Sequence, residues 1–247
     1  MLNTYIAGQI YAKISFGATL SQKKVVEKLS EYLSSSDYSR IFVLNGYAGT
    51  GKTTLISALV AVLRETGVKS VLLAPTGRAA KVLTRYSGQQ AFTIHKRIYR
   101  QRTNADYESK YSLDMNKEQG AVFIVDEASM LSDSSGDGQI FGSGSLLEDL
   151  ITYVRKGRDC RLILVGDNAQ LPPVGADYSP ALEPSALLHY GDVTYTSMDD
   201  VVRQSVESGI LFNATMVRCM LEKKICEITR FELRWIDIEG IEAGELL

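Results

Sequence analysis

Cysteine is scarce in this 247-residue chain: Cys160, Cys219 and Cys226 are an odd number with no CxxC or CxxH spacing. That excludes a disulfide scaffold and leaves reduced core thiols in the cytoplasm as the expectation. No apolar run approaches the roughly 18 residues that a membrane span requires, so no membrane partner is expected. The opening MLNTYIAGQIYAKISFGATL has neither a basic n-region nor an apolar h-region, which argues against a secretion signal. Pro and Gly, at 5 and 20 residues, follow no collagen-like period. An excess of one charge is also missing. Lys+Arg at 27 against Asp+Glu at 29 gives −2, which argues against a wholly basic nucleic-acid coat.

What is present is an ordinary globular composition, 45% apolar, 23% charged and 9% aromatic. At about 150 residues per domain it implies one or two domains, large enough to need no disulfide or metal staple. The charge is unevenly placed. Arg78 to Lys117 carries nine basic residues against Asp106, Glu108 and Asp114, so this segment is +6 and the remainder −8. A local positive face can bind a polyanion on an acidic protein; a solvated surface is the plainer alternative.

Apolar strands alternate with helical patterns. Ile41–Asn45, Ser70–Ala74, Ala121–Val125 and Arg161–Val165 are near-continuous apolar runs, and Thr53–Glu65, Thr76–Tyr86 and Ser145–Lys156 have helical spacing. Such alternation predicts an α/β fold with a mostly parallel sheet covered by helices on both faces, functional groups lying beyond the carboxyl ends of the strands. Two stretches break the pattern: Arg97–Gly120, polar, Tyr-rich and basic, reads as an insertion or small subdomain, and Ser132–Ser145 as a Gly/Ser-rich loop.

Gly46-Tyr47-Ala48-Gly49-Thr50-Gly51-Lys52-Thr53 fits GxxxxGK[ST] in full, after a strand and at the start of a helix. Glycines let backbone N–H groups turn inward around a phosphate, and the helix N-terminus favours negative charge. Gly46, Ala48, Gly49, Thr50, Gly51, Lys52, Thr53 and Thr54 are thus the expected nucleotide cradle. Lys52 bridges the β- and γ-phosphates, and the Thr53 hydroxyl ligates Mg²⁺. Asp126, ending what reads as the adjacent strand, suits the same Mg²⁺, and Glu127 suits a base that activates water. Beyond the strand Arg161–Val165, Gln170 can touch both a γ-phosphate and attacking water, in a loop stiffened by Pro172-Pro173. A polar turn is the competing reading there.

GYAGTGKTT (46–54), LAPTGRAAKVL (73–83), TIHK (93–96), FIVDEASML (123–131), LVGDNAQLPPVGAD (164–177) and VVRQ (201–204) together resemble the first RecA-like motor domain of superfamily 1B helicases, the RecD-like group. The resemblance implies a P-loop NTPase (RecA-like) fold and an ATP- and Mg²⁺-dependent motor moving 5′→3′ on single-stranded DNA. It implies that Gln22 reads adenine and that Arg203 reaches the γ-phosphate, with Lys52, Glu127, Gln170 and Arg203 as the catalytic set. Pro75, Thr76, Gly77 and Arg78, and then Thr93, His95 and Lys96, match strand-contacting motifs. Partners among recombination and repair subunits are implied as well. His95 as a structural histidine, Gln22 on a helix surface and Arg203 in a surface salt bridge are the plain alternatives.

Residues 1–224 are expected to form the motor domain, with the basic insertion at 97–120, and the acidic, strand-like 225–247 to begin a missing second RecA-like half. A chain so truncated should bind nucleotide better than it turns it over. A non-motor switch or loading module, or a subunit of an exonuclease complex, are the other functions weighed. No separate nuclease carboxylate cluster is visible.

Overall fold

Successive residues of the strand Ile41–Gly46 enter two different cores. Phe42 and Leu44 join one, Ile41 and Val43 the other. Leu72, Ile124 and Ile163 follow the first pair, and Leu73, Phe123 and Leu164 the second. This is what near-continuous apolar strands require: each face of the sheet needs its own cover. In the computed structural model, which describes residues 2–14, 17–103, 109–133, 141–170, 172–173, 175–200, 209–222 and 231–234, helices supply it on both sides.

In chain order the elements are α1 (Leu2–Ala12), α2 (Leu20–Ser34), β1 (Ile41–Gly46), α3 (Lys52–Glu65), β2 (Ser70–Ala74), α4 (Gly77–Ser87), β3 (Ala91–Thr93) and α5 (Ile94–Ile98). Then follow β4 (Tyr99–Thr103), β5 (Ser109–Leu113), β6 (Val122–Val125), α6 (Leu146–Lys156), β7 (Arg161–Gly166), α7 (Pro184–Leu187), β8 (Val193–Met198) and α8 (Gly209–Glu222). Side chains of α1 to α4 fill the first core, and those of α5, α6 and α7 the second. The main sheet runs β3-β2-β6-β7-β1-β8 with every pairing parallel, so the expected α/β fold with helices on both faces is observed.

One expectation is corrected. The strand of Asp126 and Glu127 is not adjacent to the strand that feeds the phosphate loop, because β7 lies between β6 and β1. Apolar runs of similar length carry no information about their lateral order. The polar stretch after Arg97 becomes an antiparallel hairpin, β4 with β5, outside the main sheet. Tyr111 of β5 stacks on Phe141 at 4.5 Å, and the Tyr99 hydroxyl donates to Asp149 Oδ2 at 2.6 Å, so the hairpin is fastened to α6. Much of its positive charge is neutralised locally: Arg97 and Lys69 meet Glu118, and Arg100 meets Asp114.

The chain divides into two compact units, 1–201 and 202–247. In the second, the amide of Asn213 on α8 exchanges two 2.7 Å hydrogen bonds with the backbone of Glu232. No helix among the described residues is long and apolar enough to cross a membrane.

A buried phenol joins α2 to the sheet. The Tyr32 hydroxyl donates to the Leu162 carbonyl at 2.8 Å and accepts from the Leu162 N–H at 3.0 Å. Tyr32→Phe keeps the ring and leaves two buried backbone groups short of a partner. The expected loss is about 1–3 kcal/mol in urea unfolding at unchanged slope; a loss below about 0.5 kcal/mol would contradict this role.

Candidate functional site

β1 delivers Gly46 into a turn that reaches α3 at Lys52. Gly51 stands there at φ +94°, and a Cβ on it would lie 2.6 Å from Gln22 Nε2. The left-handed backbone favours glycine, and a side chain there would also push the Gln22 amide aside. Thr50 Oγ1 donates to the Tyr47 carbonyl at 2.8 Å, and Lys52 Nζ donates to the carbonyls of Gly46 and Tyr47. The ammonium thus spans the mouth of the loop. Ala48, Thr53 and Thr54 are exposed beside it. Gln22, 4% exposed, accepts from the Thr19 N–H at 3.1 Å and donates to the Thr50 carbonyl at 3.0 Å. Its amide joins the capping box of α2 to the phosphate loop.

Asp126 and Glu127 follow β6 directly. Asp126 Oδ1 accepts from the Glu127 N–H at 3.0 Å, and its Oδ2 accepts from the Tyr86 hydroxyl. Burial and the nearby Asp126 carboxylate push the Tyr86 phenol well up, so it remains a donor. Glu127 has φ +55°, a left-handed conformation uncommon for a residue with a side chain. Burial raises its carboxyl above the ordinary range; Asp126 and Asp167 add to this and Lys52 opposes it. The direction is the one a general base near neutral pH needs. A Thr53 hydroxyl and an Asp126 carboxylate are hard oxygen donors. Among the described residues no group of three or more His, Cys, Asp or Glu gathers. Hard oxygen donors of this kind fit Mg²⁺, which keeps waters and takes substrate phosphate oxygens.

After β7, the buried Asp167 accepts from the Ala169 N–H at 2.9 Å, and its carbonyl accepts from the Gln170 N–H at 3.1 Å. Asn45, one residue before the loop on β1, accepts from the Asn168 N–H at 3.0 Å and donates to the Tyr195 hydroxyl at 3.2 Å. Gln170 stands exposed on this tethered turn. Arg203 lies outside the described residues.

The two strand-contacting motifs come together. Ala74 pairs with Thr93 across β2 and β3, so both motifs leave the sheet side by side. Thr76 caps α4 by accepting from the Ala79 N–H, and Thr93 caps α5 by accepting from the Lys96 N–H, each at 3.2 Å. Thr76, Gly77, Arg78 and Lys96 are exposed, and Pro75 is half-buried. The Lys96 ammonium lies 5.7 Å from the centre of the Phe92 ring. His95 sits apart from this row: its ring packs on Phe141 at 5.2 Å and Tyr99 at 5.7 Å, and burial lowers its pKa. The structure thus arranges, at one end of the sheet, the segments after β3 and β2, the Asp126-Glu127 pair, the Gln170 turn and the glycine-rich loop in the order of their strands.

Two contributors escaped the sequence reading. Tyr86 looked like any helical aromatic, since its link to Asp126 spans 40 residues. Asn45 gave a signal, being the one polar residue of IFVLN, but the reading stopped at strand assignment.

The family described as AAA domain matches residues 19–220. The ATP-dependent RecD2 DNA helicase of Deinococcus radiodurans is 32% identical over 160 residues, 63% of this chain and 19% of that protein. The ATP-dependent DNA helicase dda of Enterobacteria phage T4 is 36% identical over 136 residues, 53% of this chain and 28% of that protein. The RecBCD enzyme subunit RecD of Mycolicibacterium smegmatis is 30% identical over 185 residues, 65% and 29% of the two chains. This chain therefore spans less than a third of the length of each of these relatives.

Asn45→Ala removes both bonds of that amide and frees the turn after β7 from β1. Amide exchange at 167–170 should accelerate at least tenfold while exchange within β7 stays slow. Unchanged exchange in the turn would show that Asn45 does not hold it.

Proposed function

The chain belongs to the AAA domain family, in the RecD-like group of superfamily 1B motor domains, and on that premise we propose that it is the cytoplasmic, ATP-hydrolysing motor domain of a DNA helicase or translocase. What supports the reading most is one juxtaposition. The loop of Gly46 to Thr53, the Asp126-Glu127 pair and the exposed Arg78 and Lys96 leave the same end of one parallel sheet. An ATP pocket and a polyanion grip then share a rigid base.

In this reading Lys52 exchanges the carbonyls of Gly46 and Tyr47 for phosphate oxygens, and Thr53 and Asp126 would hold Mg²⁺. The metal, when bound, neutralises charge on the β- and γ-phosphates. Glu127 accepts the proton of the attacking water, and Gln170 orients that water against the γ-phosphate. Arg203 is the residue from which the family resemblance would bring a fixed positive charge to that phosphate. Gln22, already bonded to the loop through Thr50, offers an amide suited to an adenine edge. A second motor half completes the site, and recombination or repair subunits are the partners this group implies. Ungripped single-stranded DNA would meet Thr76, Arg78, Thr93 and Lys96 through its phosphates. Such contacts position without reading bases.

Glu127→Gln keeps the shape and hydrogen bonding of the base and removes its proton affinity. ATP binding should persist, and turnover of the whole protein should fall about 10²–10⁴-fold. Parent-like phosphate release would place the base elsewhere.

The grip gives an independent test. Binding of a single-stranded oligonucleotide should weaken steeply with salt, and Lys96→Ala should flatten the slope by about one contact. Equal slopes, or a marked preference for one base sequence, would remove Lys96 from the grip.

A further inference from the structure

Tyr86 is the penultimate residue of α4, the helix that begins with the exposed Gly77-Arg78 pair. Two of its polar groups bond outside α4. The backbone carbonyl accepts from Ser57 Oγ, on the phosphate-loop helix α3, at 2.8 Å. The phenol donates to Asp126 Oδ2. One residue of α4 thereby touches the two structures that flank the nucleotide site.

The carboxylate of Asp126 is held at both oxygens, Oδ1 by the Glu127 N–H and Oδ2 by the phenol. Its backbone is pinned as well, the N–H donating to the Leu73 carbonyl of β2 at 3.0 Å. With backbone and one oxygen fixed locally, the remaining freedom is rotation of the carboxylate, and the phenol is the group that stops it. A carboxylate offers about four lone-pair directions, so two donors leave room for a cation. Donors of this kind, one shell out from a ligand, set its orientation and are worth about 10–100-fold in metal affinity.

We propose that Tyr86 is a positioning residue: it aims the Asp126 carboxylate at the divalent cation and makes that aim depend on the seating of α4. The inference rests on the reading of Asp126 as the metal carboxylate. Ala80 and Leu83 seat the helix in the core shared with α3. A displacement of α4 at its gripping end therefore carries the phenol with it, and the cation site feels the grip through a single hydrogen bond.

Tyr86→Phe keeps the ring and deletes the donor. The measurement is binding of a fluorescent ADP analogue to the chain, titrated with Mg²⁺ and repeated in chelator. The parent should bind more tightly as Mg²⁺ is added. In Tyr86→Phe the Mg²⁺ half-saturation point should rise about tenfold or more, with metal-free affinity unchanged. Equal half-saturation in the two proteins would overturn the assignment. So would a matching loss of metal-free affinity, which would mark a purely structural role. A parent whose binding ignores Mg²⁺ would instead overturn the reading of Asp126 itself, and the inference with it.

Discussion

Parallel pairing in a sheet covered on both faces is the constraint on which the site depends. Such strands satisfy their backbone groups in the ladder and spend their side chains on two cores. Polar chemistry is thereby confined to the residues where a strand ends. In parallel register all those ends point one way, so groups distant in sequence become neighbours with no interaction between them to bring this about. Ala74 opposite Thr93 aligns the two capped helix starts; Asn45 opposite Gly166 aligns the phosphate loop with the turn of Gln170. Lateral strand order then decides who stands beside whom. With β7 between β6 and β1, the Gln170 turn falls between the carboxylates and the phosphate loop.

Segments whose own residues fix their conformation were readable. Continuous apolar runs gave the central strands, and the glycine spacing of 46–51 gave the loop, because backbone freedom at those positions has no other use. Lateral order was not readable, since nothing in Val122–Val125 states which strand it joins. The edge strands were hidden for a related reason. β8 alternates Thr, Tyr and Ser and is only half-buried, and β3 has three residues, so neither makes an apolar run. The hairpin of β4 and β5 is polar because it lies outside the sheet, fastened by Tyr99 and Tyr111 to partners more than 25 residues away.

Charge needs the same distinction between count and place. The +6 excess between Arg78 and Lys117 admits a local positive face, with a solvated surface as the plainer reading. In the folded chain Glu118, one residue past that window, meets both Arg97 and Lys69, and Asp114 meets Arg100. Arg78, Lys81 and Arg85 along α4, Lys96 on α5 and Lys117 after β5 stay exposed. Cations at helix N-termini oppose the helix dipole and cost a few tenths of a kcal/mol each. Arg78, in the first turn of α4, is placed against that local preference, and a bound polyanion would reverse its sign.

Glu127 is the point where these constraints meet. Its left-handed backbone costs about 1–3 kcal/mol and persists only where the surroundings leave no alternative. The surroundings are identifiable. The tight turn of Ala128–Met130 that follows it is pressed against the end of β7, so closely that a Cβ on Gly166 would lie 3.0 Å from Ser129 N and 2.7 Å from Leu182 Cδ1. The missing side chain at Gly166 lets the turn settle, and the settled turn fixes the backbone from which the Glu127 carboxyl projects. Gly166 also ends the strand that carries Asp167 and Gln170. One glycine therefore sets the height of the Glu127 backbone on one side and of the Gln170 turn on the other, and their separation is decided by sheet geometry.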